Sequence, residues 1–420
     1  MKLSFVRLTF AGSLLIAAVT SACTEKLESN AGCPLLCPSQ GGEIETVTLD
    51  AVTLDTTVSA LEGQGTETSI LIASRGDSID ARAIIRFDSI PARYVKPGPD
   101  TTSIEITTVD SAILRMRVDT TGGKIPETLT LDLYDVNSDA PDTATAQIAA
   151  LFTPARLITS ATFEKAALKD TINVPIPGSA LLERKGGPMR LGIRARGPQS
   201  VQLRLLSQEG AGAPTLLTYR VDADTAVSKV VLVPYSKTPA NQPILAGSLA
   251  DYTLLVKGTA TGAPTDLNIG GLPARRVYMR FNLPAFITDS VDVVRATLLL
   301  TQQPGSSIDP TDTVRIVPQV SLASASVTDV AKAAQIVVIT KTDTLKVTPT
   351  GSGLRTIEVA NVLSLWRSQN PTETPRALIL VSTLEGTSPL EARFYPAEAA
   401  PDLRPRLRIS YSARKSTGLP

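Results

Sequence analysis

The chain has 420 residues, with 41 Lys plus Arg against 40 Asp plus Glu and a formal charge of +1, so no global field draws in nucleic acid or an anionic surface. Its lack of any histidine removes the Ser-His-Asp and Cys-His mechanisms, the zinc proteases built on a helical His pair, and the commonest general base near neutral pH. Length alone predicts two or three domains.

Residues 1–22 predict an export signal: Lys2 and Arg7 precede an apolar run from Leu8 to Val19, and small residues follow. The run is about a dozen residues, short of the roughly 20 that a membrane-spanning helix requires. The junction Thr20-Ser21-Ala22-Cys23 resembles a bacterial lipobox, in which the cysteine thiol takes a diacylglycerol and becomes the first mature residue. Thr20 departs from the aliphatic residue usual there, and ordinary signal peptidase cleavage after Ala22 is the alternative. The expected partner at this end is the membrane, through a lipid on Cys23.

Residues 23–43 carry Ser, Gly, Pro and Glu with little apolar periodicity, as a flexible tether does. Cys33 and Cys37 lie within it and are the remaining cysteines, so they form either a local disulfide after export or two free thiols. A structural zinc wants four ligands, and two cysteines without histidine do not supply them.

Beyond residue 44, short runs rich in Val, Ile, Leu and Thr alternate with Gly, Pro, Asp and Ser clusters. Ile104–Val109, Ile113–Val118 and Leu129–Leu133 alternate apolar and polar residues at period two, the pattern of strands with one buried face. Helical periodicity is confined to Val327–Ala334 and Val359–Arg367, and 30 prolines favour many short strands.

An internal repeat organises these runs. Arg82-Ala83-Ile84-Ile85-Arg86-Phe87, with Pro91, matches Arg276-Val277-Tyr278-Met279-Arg280-Phe281, with Pro284. Met189–Ile193 matches Ala377–Leu380, Val201–Leu205 matches Leu390–Phe394, and Pro214–Tyr219 matches Pro405–Tyr411. The fold expected is all-β: two tandem jelly-roll-like β-sandwich domains at 44–224 and 225–413, followed by a tail at 414–420.

These residues resemble the DNRLRE family of extracellular β-sandwich domains. The second copy carries the pattern best, in Arg280-Phe281 with Pro284, Ala296-Thr297-Leu298, Trp366, Phe394-Tyr395-Pro396-Ala397-Glu398 and Arg404-Pro405-Arg406-Leu407-Arg408-Ile409-Ser410-Tyr411. The first copy lacks the tryptophan, has Leu205-Leu206-Ser207-Gln208-Glu209 in place of Phe-Tyr-Pro-Ala-Glu, and carries an insertion from Tyr94 to Val109. The resemblance implies a wall-associated or carbohydrate-binding module, and its motifs describe strand packing more than chemistry.

Three kinds of site are legible. Trp366 is the sole tryptophan and either offers a sugar platform or packs under the sandwich from a short helical turn. Arg86 and Arg280, one residue before Phe87 and Phe281, face away from the core and either form exposed ion pairs or meet an anionic ligand. Asp77 with Asp80, and Asp309 with Asp312, could offer oxygens to calcium but lack the spacing of a calcium loop and read better as turn formers. Gly270-Gly271 reads as a turn, no phosphate loop is present, and no metal or cofactor is expected. The expectation is a non-catalytic envelope lipoprotein of the outer membrane or cell surface, engaged in adhesion, glycan contact or assembly with a polysaccharide or another envelope protein. The alternatives are a polysaccharide-acting enzyme and a structural spacer.

Overall fold

The computed structural model describes residues 44–414 except 61–64, 66, 96–101, 198–199, 212–214, 222–228, 238–248, 259–264, 306–311 and 339–342. The signal segment, Cys23, Cys33, Cys37, Asp309 and residues 415–420 lie outside the described residues.

The chain is all-β, built from large antiparallel sheets. Period-two burial makes the layers. In the strand Val109–Lys124, Ala112, Leu114, Met116 and Val118 are buried, while Ser111, Ile113, Arg115 and Arg117 between them are exposed. Successive side chains leave opposite faces, so one segment supplies a core wall and a wet surface. This strand pairs with Thr171–Ile176 and Leu216–Val221 along its first half and with Val201–Leu206 beyond, carrying the chain from one layer to the other. In the facing layer Ile79–Phe87, Met189–Arg196, Thr128–Asp135 and Leu157–Glu164 pair in that order. Phe87, Leu114, Leu133, Leu191 and Tyr219 meet between the layers.

The second sandwich repeats the plan. Its long strand Val291–Gln303 pairs with Gly353–Glu358 and Arg406–Ala413, then with Glu391–Phe394 at its end. Opposite it, Arg275–Phe281, Ala377–Ser382 and Val314–Ser321 pair in order. Phe281, Trp366, Leu298 and Phe394 fill its core. The equivalence extends to single hydrogen bonds. Arg82 donates to the carbonyl of Ala149 (3.1 Å) and Arg276 to that of Ala334 (2.9 Å), each at the end of a short helix, Thr145–Ala149 and Val330–Ala333.

The repeat boundary is where the structure departs from the sequence-based division. Two strands complete each sandwich, here called its closing pair. In the first they are Lys229–Leu232, beside Leu216–Val221, and Asp251–Lys257, beside Ile79–Phe87. Both lie after residue 224, so the first sandwich runs from about Ser69 to Lys257, and the predicted domain 44–224 is not closed. In the second sandwich the closing pair comes from the other end of the chain. Val52–Ser59 pairs with Arg275–Phe281, and Glu45–Leu49 neighbours Arg406–Ala413. The second body is therefore 267–413 plus 45–59, not 225–413. Period-two patterning states which face of a strand is apolar, but leaves open which strand lies beside it, and the repeat was visible only in the segments between the closing pairs.

Of the expected helices, Val327–Ala334 shortens to Val330–Ala333, and Val359–Arg367 forms one residue later, at Ala360–Ser368. Gly270 and Gly271, at φ +88° and +85°, start the tight turn from Leu267–Gly270 into Arg275–Phe281, a backbone region that favours glycine.

Candidate functional site

One strand of each closing pair is fastened by the same two side-chain types. Asp251 lies opposite Ile85 and Asp55 opposite Met279, equivalent places in the repeat. Asp251 accepts the backbone N–H of Gln208 (3.1 Å), and Asp55 accepts that of Ala397 (2.8 Å). Two residues on, the Thr253 hydroxyl accepts the N–H of Leu71 (2.8 Å), and that of Thr57 accepts the N–H of Asn268 (2.9 Å). An Asp-x-Thr stitch thus joins one strand of each closing pair, through Thr, to the strand Ser69–Arg75 or Leu267–Gly270 and, through Asp, to the turn that follows Val201–Leu206 or Glu391–Phe394.

The stitch carries an electrostatic penalty. Asp251 is fully buried, and its Oδ1 has no hydrogen-bond partner among the described residues. Burial, with the charges of Glu209 and Glu67 adding to it against the Gln208 N–H, pushes its carboxyl up to about 7. Asp55 is raised for the same leading reason, burial, which outweighs the Ala397 N–H, and Glu398 raises it further.

The residue between Asp and Thr differs. Tyr252 sits opposite Ile84, and its hydroxyl donates to Asp142 Oδ1 (2.7 Å). Asp142 is also ion-paired with Arg86, and Arg190 reaches it at 3.5 Å and the Ala140 carbonyl at 3.0 Å. Arg86 binds Asp88 as well (2.9 Å). Burial opposes the Arg86 charge, but Asp142 and Asp88 more than offset it and raise its pKa. Burial and the Asp142 charge together raise that of Tyr252.

Against this network opens a cleft of about 220 Å³ with contributions from both sandwiches. Asp142, Thr143, Thr145 and the Tyr252–Leu255 segment line it from the first, and Leu272, Pro273, Ala274 and Gly386 from the second, with Glu67 at the margin. The lining thus combines hydroxyls, a carboxylate already committed to arginine, and aliphatic side chains that come from both sandwiches, Leu249, Leu254 and Leu255 among them.

The residues singled out in the sequence are placed as follows. Phe87 and Phe281 are buried, as equivalent core residues should be. Arg86 is not an exposed pair former: its side chain is 18% accessible and sits within the Asp142 network, because that outer face of the sheet is covered by a second apolar cluster around Tyr134, Ile148 and Tyr252. Arg280 is half-buried; it donates to the Tyr278 hydroxyl at 3.3 Å and lies 5.9 Å from that ring. Trp366 is 1% exposed and 5.0 Å from the Phe281 ring, so it is a core residue and not a sugar platform. Asp80 pairs with Arg82 (2.6 Å) and Arg194 (3.2 Å), and Asp77 faces Lys257 at 3.8 Å. Among the described residues no group of three or more candidate ligands is placed to hold a metal ion. No helix among them is long and apolar enough to cross a membrane. Sequence reasoning missed Asp142, Tyr252 and Thr253. The recurrence of Asp-x-Thr at Asp55–Thr57 and Asp251–Thr253 was the available signal.

Fold and cleft together define a two-sandwich all-β protein whose second sandwich is closed by an N-terminal strand pair. Comparison adds little to that class: no family model and no curated protein matches the chain. Among solved structures, a Parabacteroides distasonis protein described as secreted aligns over 89% of this chain and 100% of its own, at 8% identity and a TM-score of 0.20. That score establishes no shared fold.

Proposed function

We propose that the chain is an exported envelope lipoprotein of the outer membrane or cell surface, held by a lipid on Cys23, that binds rather than catalyses. Its sandwiches are DNRLRE-like, and the cleft between them is the contact for a glycan. The observation that carries this reading is a cleft lined by Tyr252, Thr143 and Thr145 together with Leu254, Leu272 and Pro273, since ligand sites pair an apolar surface with a few fixed polar groups. The small volume suits a terminal sugar residue.

Binding is favoured over a polysaccharide-acting enzyme because the ionisable groups are already spent. Asp142 is tied to Arg86 and Tyr252, the Tyr252 hydroxyl is raised away from the working range of a base, and Asp251, which titrates near 7, is fully buried.

A glycan-array screen of the soluble chain tests this, followed by titration of any hit against Thr143→Trp, a change at an exposed cleft residue. The expected result is a hit that the variant loses while keeping its melting temperature. Absence of any bound glycan, or equal binding by the variant, overturns the reading.

A further inference from the structure

The second sandwich is completed by strands that the chain supplies from more than two hundred residues away. Thr53 reaches the Arg280 carbonyl across a separation of 227 residues. The first sandwich needs no such loan, because its closing pair follows its own last core strand, Leu216–Val221. The strand Asp251–Lys257 is connected into the body at both ends, by the segments leading from Lys229–Leu232 and into Leu267–Gly270. Residues 45–59, by contrast, precede every other strand of both sandwiches and lead to Ser69 through residues 60–68.

We propose that this N-terminal closing pair is also exchanged between molecules, so that residues 45–59 of one copy complete the second sandwich of another. The partner is a second copy of this chain, because what the acceptor reads is present in that copy unchanged. It reads a ladder from Val52–Ser59 along Arg275–Phe281, the Asp55 carboxylate at the Ala397 N–H and the Thr57 hydroxyl at the Asn268 N–H. Size selects the right arm. Thr56 stands opposite the buried Tyr278, whereas the first sandwich's arm has Tyr252 at that place, opposite Ile84. An arm with tyrosine there would set two buried aromatics against each other.

The contacts made within one molecule and between two are the same, so chain connectivity alone decides between them. A segment tethered through a short connection sits at an effective concentration on the order of millimolar. Exchange therefore gains as the local concentration approaches that range, and reciprocal exchange between two copies closes without leaving an acceptor empty.

The test uses two full-length chains in a background of Cys23→Ser, Cys33→Ser and Cys37→Ser. One carries Leu54→Cys and the other Arg280→Cys, positions directly opposite in the ladder. Neither chain can cross-link within itself, so a covalent heterodimer reports insertion in trans. A single chain carrying both changes shows that the geometry permits the disulfide. Leu54→Cys paired with Val294→Cys, an exposed position off the ladder, measures random collision. After joint refolding at about millimolar protein, the opposed pair is expected to give at least about tenfold more heterodimer than either the Val294 control or the same pair at micromolar concentration. If the doubly substituted chain cross-links internally while the opposed pair gives no more heterodimer than the control, the proposal fails.

Discussion

Replacing Asp251 with Asn should strengthen the fold at neutral pH, although Asp251 makes a native hydrogen bond. In the folded chain its carboxyl is fully buried beside Glu209 and Glu67 and titrates near 7, whereas unfolded it returns to the ordinary value of 3.8. The folded state thus holds this proton more tightly. The group's contribution to stability is fully present below pH 3.8, is lost as pH rises through the folded value near 7, and is flat above it. At 1.36 kcal/mol per pH unit the loss across that window is about 4 kcal/mol, which relaxation and water entry reduce to about 2 to 4. Asn keeps an oxygen for the Gln208 N–H and cannot ionise. Urea titrations of both proteins at pH 4 and pH 8 measure the difference, other titrating groups cancelling between them. The midpoints should nearly coincide at pH 4, and Asp251→Asn should be the more stable by about 2 to 4 kcal/mol at pH 8. A variant less stable at pH 8, or an offset that does not change with pH, would refute the assignment of the raised carboxyl to Asp251.

Other outcomes follow from the same contacts. A fragment of residues 65–258 should melt cooperatively by circular dichroism, whereas residues 44–224, which lack the Asp251–Lys257 strand, should not; the reverse would restore the boundary at 224. Phe87→Ala should destabilise by about 3 to 5 kcal/mol through lost burial and a cavity. Arg86→Ala should approach it, at about 3 kcal/mol, because Asp142 is left buried with a weaker partner at 3.5 Å; a change under about 0.5 kcal/mol would mean the network is solvated. Cys23→Ser should move the protein into the soluble fraction and abolish fatty-acid labelling, and persistent labelling of the variant rules out the anchor.

Much of the fold was legible because burial writes itself into the sequence at period two. Ala112, Leu114, Met116 and Val118 announce one face, and the Arg-x-Phe matches at Phe87 and Phe281 identify equivalent core positions that the structure buries alike. The orientation of Arg86 opposite Phe87 was also readable, since the pleat fixes it. Its environment was not, because of the residues that cover that face, Asp142 is 56 residues from Arg86 and Tyr252 a further 110 beyond Asp142. Neighbour relations between strands are set by how connections run, which no local pattern records. Trp366 illustrates the same limit from the other side: a lone aromatic on a short helix reads equally as a platform or as filler, and only its 5.0 Å approach to Phe281 decides.

The origin of the second closing pair sets an order of events during synthesis. Residues 45–59 leave the ribosome before any strand of either core, yet their ladder partner ends at Phe281, and the neighbour of Glu45–Leu49 ends at Ala413. The first sandwich can close once Lys257 has emerged, with every ladder partner already made. Until those partners exist the opening segment is an unpaired, β-prone strand with Val58 uncovered, the kind of edge that recruits wrong partners. Contacts spanning so much of the chain are late and slow to form. The first of the described strands to be made is therefore among the last that can pair.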